Sequence, residues 1–198
     1  MKMSKSERTK VIIIEKTAPI FNKKGYAGTT MSDILLATGL SKGCVYGNFQ
    51  NKDEVALAAF DYNYSLVEAH MKQRIFEKES AIDRLLVYPR AYRNYRQYPY
   101  MEAGCPILNT ATEVDDTHPA LRARALKALE SWRQGLENQI NRGIARGEID
   151  RHTNASEFAL IMISLIEGAF MQAKLSDRSE SMQVTMDFLE RLILDLRE

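Results

Sequence analysis

Residues 31–49 read Met31-Ser32-Asp33-Ile34-Leu35-Leu36-Ala37-Thr38-Gly39-Leu40-Ser41-Lys42-Gly43-Cys44-Val45-Tyr46-Gly47-Asn48-Phe49. Thr30 precedes this stretch as an N-cap, with Asp33 three residues on as its acidic partner, so a short helix runs from Met31 to Thr38. Gly39 supplies the positive φ of a tight turn. Ser41 caps a second short helix, predicted from Lys42 to Phe49. Two short helices joined by Gly39-Leu40-Ser41, with Ile34 and Leu35 able to meet Val45 and Phe49, have the form of a helix-turn-helix. The outer face of the second helix then carries Lys42, Gly43, Cys44, Tyr46, Gly47 and Asn48. Small residues let such a helix sit deep in a major groove, while Lys and Asn are suited to base edges or phosphates.

Helical punctuation continues on both sides of this segment. A helix is predicted from Lys5 to about Lys23, stopping before Gly25; Pro19 inside it predicts a kink or a loosened last turn. Asn51 caps a long helix, about Lys52 to Ile75, with Asp53 and Glu54 in its first turn. Further helices are predicted over Ala81–Tyr98, Pro106–Val114, Pro119–Arg146, from Asn154 or Thr153 to Leu175, and Glu180–Leu196. No hairpin signal is present, so the fold class is all-α: an N-terminal three-helix helix-turn-helix module (1–51) and a C-terminal helical body (52–198) for ligand binding and dimerisation.

Charge follows the same division. Residues 1–60 hold nine Lys/Arg against five Asp/Glu, a net +4, which leaves −3 on residues 61–198. A basic module on a mildly acidic body suits a polyanion at one end. The two cysteines, Cys44 and Cys105, form no CxxC or cluster, and His70, His118 and His152 have no ligand-like neighbours, so neither metal nor cofactor is expected. No paired Glu-x-x-His motif supports a helical-bundle enzyme. The N-terminal segment lacks the apolar core of a signal peptide, and the stretch 158–173 is interrupted by Ser164, Glu167 and Gly168, which points to a cytoplasmic protein with no membrane partner.

The series Phe21, Gly25-Tyr26, Thr29-Thr30, Asp33-Ile34, Gly39-Leu40-Ser41-Lys42-Gly43, Val45-Tyr46, Asn48-Phe49 and Lys52-Asp53-Glu54 resembles the DNA-binding domain of the TetR family of bacterial repressors. The resemblance spans roughly residues 8–56; the rest of the chain agrees in layout only. It implies double-stranded operator DNA as partner. Thr30 is then a phosphate-contacting cap, and Lys42, Gly43 and Cys44 face base edges. Tyr46, Asn48 and Lys52 hold phosphates, with Ser32, Ser41 and Gly47 in the same surface. Two positions depart from the family pattern. Gly47 replaces a bulky residue beside the tyrosine, and Cys44 is a weak hydrogen bonder suited at most to a thymine methyl.

A single helix-turn-helix reads few base pairs, so a homodimer on a pseudo-palindrome is expected, with heads about 34–36 Å apart or at longer multiples. Residues 158–175 are apolar almost all round, and Met182, Met186, Leu189, Ile193 and Leu196 form a stripe on the last helix; together they predict a four-helix interface between two copies. The resemblance also implies an unknown small-molecule effector inside the body, bound near Tyr62, Tyr92, Tyr95, Cys105, Ile107, Trp132, Phe158, Met162 and Phe170. The residues themselves also permit a core filled by tyrosines. Gly104-Cys105-Pro106, with Lys174 downstream, resembles a subgroup carrying a Gly-Cys pair, some of whose members sense electrophiles or oxidants by cysteine chemistry. Three readings therefore stand: an inducer-released repressor, a redox- or electrophile-sensing repressor acting through Cys105, and a constitutive DNA binder.

Overall fold

The computed structural model describes residues 3–114 and 116–197. Its α-helices, in chain order, are α1 (Lys5–Gly28), α2 (Met31–Thr38), α3 (Lys42–Tyr46), α4 (Lys52–Phe76), α5 (Ala81–Arg93), α6 (Pro106–Val114), α7 (Pro119–Ala145), α8 (Ala155–Ser176) and α9 (Glu180–Leu194). No strand occurs among the described residues. The chain forms two compact units, Met1–Leu66 with Pro106–Ala128, and Val67–Cys105 with Leu129–Glu198.

In the first unit the predicted small core forms as the spacing demands: Ile34, Val45 and Phe49 are buried with Ile13, Ala18 and Phe21 of α1, while Leu35 is half-buried. Burial of these apolar groups is the main driving force available to so short a pair of helices. α1 differs from its predicted course in one instructive way. Pro19 lies within a helix that stays regular, and the break falls at Gly25, which adopts φ 75° and ψ 178°. Pro19 and Glu15, whose carbonyl loses its donor, are both exposed, which leaves that carbonyl open to solvent in place of the missing bond. At Gly25 a side chain has no place: the backbone is in the region reserved for glycine, and a Cβ would fall against the Glu113 carboxylate.

α3 ends at Tyr46, three residues short of its predicted end: the Gly47 N–H makes a last regular bond to the Gly43 carbonyl at 2.9 Å, and the Asn48 and Phe49 N–H groups then share the Val45 carbonyl, each at 3.0 Å. α5 likewise stops at Arg93 and passes into two 3-10 turns, Tyr95–Gln97 and Pro99–Met101. Tyr98, forced toward extended geometry by the proline after it, has φ −107° and ψ 112°. Of the two caps offered for α8, Asn154 is the one used; its side chain accepts the Glu157 N–H at 3.2 Å.

In the second unit α9 packs on both α5 and α8. Arg93 of α5 reaches Asp187 at 2.5 Å and Glu190 at 2.9 Å. α8 is long and apolar enough to cross a membrane by length and composition, yet one face, from Ala155 through Met162 and Ile166 to Ala173, is core. The stripe predicted to meet a second copy faces inward instead. Met182, Met186, Leu189 and Ile193 are fully buried within the monomer. Periodicity identifies an apolar face but not what covers it.

Replacing Gly25 by Ala is expected to lower stability by about 1–3 kcal/mol through backbone strain and the Glu113 clash. Gly135→Ala, at a helical site with open space around the new methyl, is expected to be neutral or to gain up to about 1 kcal/mol. Thermal melts of the two variants check both signs.

Candidate nucleic-acid interface

The interface is built from caps. The Thr30 side chain accepts the Asp33 N–H at 3.1 Å while Asp33 accepts both the Thr30 N–H and hydroxyl at 2.8 Å. Lys24 closes on the other Asp33 oxygen at 2.7 Å. These donors, the Lys24 ammonium foremost, hold the Asp33 carboxyl well below the usual carboxylate range. Gly39 ends α2 in the left-handed conformation, φ 67° and ψ 13°, with its N–H on the Leu35 carbonyl. Ser41 then starts α3 by accepting the Cys44 N–H at 3.2 Å.

Several predicted contact residues are already spoken for inside the protein. Asn48 donates through Nδ2 to the Cys44 carbonyl at 2.9 Å and accepts the Ser6 hydroxyl at 2.9 Å, tying α3 to the start of α1. Lys52 points inward: its Nζ donates to the carbonyls of Tyr26 at 3.0 Å and Thr29 at 3.1 Å and lies 4.0 Å from the Tyr26 ring centroid. The Thr30 hydroxyl is engaged by Asp33.

What remains outward is a compact patch. Ser32, Ser41, Lys42, Gly43 and Gly47 are exposed, Cys44 is half-buried, and Tyr46 is 42% exposed. Nothing lies within 4 Å of a Cβ built on Gly43, so the centre of α3 presents bare backbone. The Lys42 ammonium rests 5.8 Å from the Tyr46 ring centroid, which holds two polar tips on one helix face.

Further residues of the same unit complete the support. Glu113 of α6 accepts the Tyr26 N–H and the Ala27 N–H, each at 2.7 Å. These are the two donors that the Gly25 break removes from the helical ladder. Asn109, one turn earlier, donates to the Asn22 carbonyl at 3.0 Å. The Tyr26 hydroxyl bonds to Asp53, and that bond together with burial pushes its pKa up to about 12. His118 packs edge-on against Tyr26 at 4.6 Å. No local pattern announces Glu113, since its partners lie 86 and 87 residues away.

The second unit holds most of the residues expected to line an effector site. Phe170 meets Tyr95 at 4.7 Å and Tyr92 at 5.5 Å, and Tyr92 meets Trp132 at 6.0 Å. Tyr92, Tyr95, Met162 and Phe170 are buried; Trp132 and Phe158 are half-buried. Tyr62 and Ile107 belong to the first unit. Two groups in the second unit stand out electrostatically. The Trp132 Nε1 and both Glu167 carboxylate oxygens are buried without a hydrogen bond of standard geometry among the described residues. Burial raises the Glu167 pKa to about 7, moderated by the neighbouring Cys105 thiol. Gly104, at φ 98°, lies so close to the Lys174 stem that a Cβ would collide with it, and the Lys174 ammonium donates to the Ala103 carbonyl at 2.5 Å. Burial lowers the Lys174 pKa, with Cys105 acting in the opposite direction.

Because Glu167 titrates higher in the folded chain than in the unfolded one, the folded state binds the extra proton between about pH 4.5 and 7. Stability contributed by the protonated form is present at low pH and falls as pH rises through that window. Glu167→Gln is therefore expected to raise the melting temperature at pH 8, to leave it nearly unchanged at pH 4.5, and to flatten the slope between. Melts across that range check it.

Known proteins agree with this architecture. Residues 13–59 match the profile described as bacterial regulatory proteins, tetR family, and residues 81–189 match the tetracyclin repressor-like C-terminal domain. A TetR-family regulator from Cytophaga hutchinsonii is 40% identical with a TM-score of 0.95, over 100% of this chain and 98% of that one. A TetR regulator from Chloroflexus aurantiacus J-10-FL is 36% identical with a TM-score of 0.93, over 98% of each chain. The HTH-type transcriptional repressor ComR of Escherichia coli (strain K12) is 25% identical over 163 residues, 81% of this chain and 77% of its own length. The chain belongs to the TetR family of bacterial helix-turn-helix transcriptional regulators.

Proposed function

We propose that the protein is a cytoplasmic, homodimeric repressor that binds a pseudo-palindromic operator and is released by a small-molecule inducer. One observation carries the DNA-reading half: on α3, Lys42 and Tyr46 stand exposed beside the bare backbone of Gly43, in a head otherwise internally hydrogen-bonded. Residues 1–51 act as the reading head and 52–198 as the body. Lys42, Gly43 and Cys44 meet base edges, and Tyr46 and Ser32 meet phosphates. Thr30, Ser41 and Asn48 serve first as caps and struts, and Lys52 as an internal cap whose loss moves the head.

Dimerisation uses the faces of α8 and α9 left over by the monomer core. Leu160, Met171 and Leu175 of α8 and Val184 and Phe188 of α9 are exposed, Leu175 at 83%. An apolar face of this kind suits a second copy. The effector meets the aromatic cluster around Tyr92 and Phe170. Trp132 Nε1 and Glu167 are the polar groups with most to gain from a ligand. A second reading is favoured by the placement of Cys105 beside Glu167 and Lys174: an electrophile adding to the Cys105 sulfur replaces the reversible inducer.

One assay separates these readings. Fluorescence anisotropy with a DNA selected from random sequence is expected to show a pseudo-palindrome bound tightly, and Tyr46→Phe to weaken it about tenfold. N-ethylmaleimide releasing the DNA from wild type and Cys44→Ser but not from Cys105→Ser supports the thiol reading. Release by a reversible metabolite, unaffected by Cys105→Ser, supports the inducer reading. Failure to enrich any palindrome contradicts the proposal.

A further inference from the structure

We propose that the groove between the C-terminal end of α4 and α5 is a binding site for a small organic anion carrying a carboxylate or phosphate group. The groove has a volume of about 480 Å³ and is lined by His70, Arg74, Glu77, Lys78, Val87 and Arg90, among others. That volume lies within the range of about 300–1,000 Å³ common for small-molecule sites.

The lining carries three permanent cations against one carboxylate. Their charges are poorly neutralised. Among the described residues, no carboxylate lies within 4.0 Å of Arg74 or Lys78, and Glu77 makes no ion pair despite sharing the groove. Arg90 has only Glu190, at 3.9 Å, and Glu190 is held more closely by Arg93 at 2.9 Å. The negative end of the α4 dipole accounts for a cation in its last turn, which is Arg74. It does not account for Lys78 beyond the helix end or Arg90 on the facing helix.

The Arg74 side chain and the Lys78 backbone are also held in place. The Arg74 guanidinium lies 5.2 Å from the Tyr98 ring centroid, and Tyr98 stacks on Tyr100 at 5.8 Å and meets His70 at 4.5 Å. The turn carrying Lys78 is pinned by Arg84, whose Nε donates to the Lys78 carbonyl at 2.9 Å. Burial and then the Arg74 charge lower the His70 pKa, and its Nε2 is buried without a hydrogen-bond partner among the described residues. Val87 gives the groove an apolar wall, itself buried. Three cations lining one groove, an unpartnered imidazole nitrogen and an apolar wall fit a ligand with an anionic head and a carbon skeleton better than a bare inorganic ion.

Titration calorimetry on the full chain tests this, with phenyl phosphate and citrate as separate probes at an ionic strength held constant by sodium chloride. Saturable one-to-one binding of at least one probe is expected, and which probe binds assigns the head group. Binding is expected to weaken more than about tenfold in Arg74→Gln/Arg90→Gln. It should be unchanged in Arg122→Gln/Arg178→Gln, which removes the same charge elsewhere. In wild-type protein the Val87 methyl resonances are expected to shift along the same isotherm, a readout independent of whether either variant folds. No saturable binding of either probe, equal weakening by the control pair, or unmoved Val87 methyls would overturn the assignment. No DNA enters the experiment, so its failure leaves the operator-binding proposal standing.

Discussion

The DNA-reading head depends on how the chain is held after Gly25. That residue leaves the helical ladder, which frees the N–H groups of Tyr26 and Ala27; beyond it the Tyr26 carbonyl, bonded to the Thr29 N–H at 3.3 Å, and the Thr29 carbonyl each have room for a further donor. Unpaired backbone groups of this kind cost free energy comparable to lost hydrogen bonds. Glu113 takes the two donors and Lys52 the two acceptors. A short, irregular link is thus clamped by opposite charges from α6 and α4. It leads directly into Thr30, the cap that starts α2, so the clamp fixes where the helix-turn-helix begins.

The same economy explains which residues remain for DNA. Polar side chains that satisfy neighbouring backbone, such as Asn48, Thr30 and Lys52, hold the head together. Lys42 and Tyr46 are left outward, with Gly43 exposing backbone between them. On the proposed reading, the contact surface is what the fold leaves outward, and residue type alone does not define it. Lys52 makes the point: as a lysine opening a helix it resembles a phosphate ligand, while its observed partners are carbonyls.

Local signals were legible in the sequence. The Thr30–Asp33 box, the Gly39 turn and the Ser41 cap involve residues four apart or less, and each forms as read. The α5 end was missed because its limit is set at Asn94, four residues before the Tyr98-Pro99 pair that looked decisive. The stripe Met182 to Ile193 is legible as an apolar face, yet its neighbours are in the same chain, which periodicity does not specify. Glu113 was invisible because nothing near it in sequence shares its work. Glu167 was noticed only as an interruption in an apolar run; its burial beside Cys105 depends on a contact 62 residues distant that no spacing rule anticipates.

The most direct test of the clamp is the salt dependence of operator binding by Lys52→Met. Each phosphate-paired lysine contributes about 0.9 to the slope of log K against log salt. If Lys52 caps carbonyls from within, the variant binds more weakly at every salt concentration with the wild-type slope. A slope reduced by about one for each half-site would mean that Lys52 pairs with phosphate in the complex, and would contradict the account.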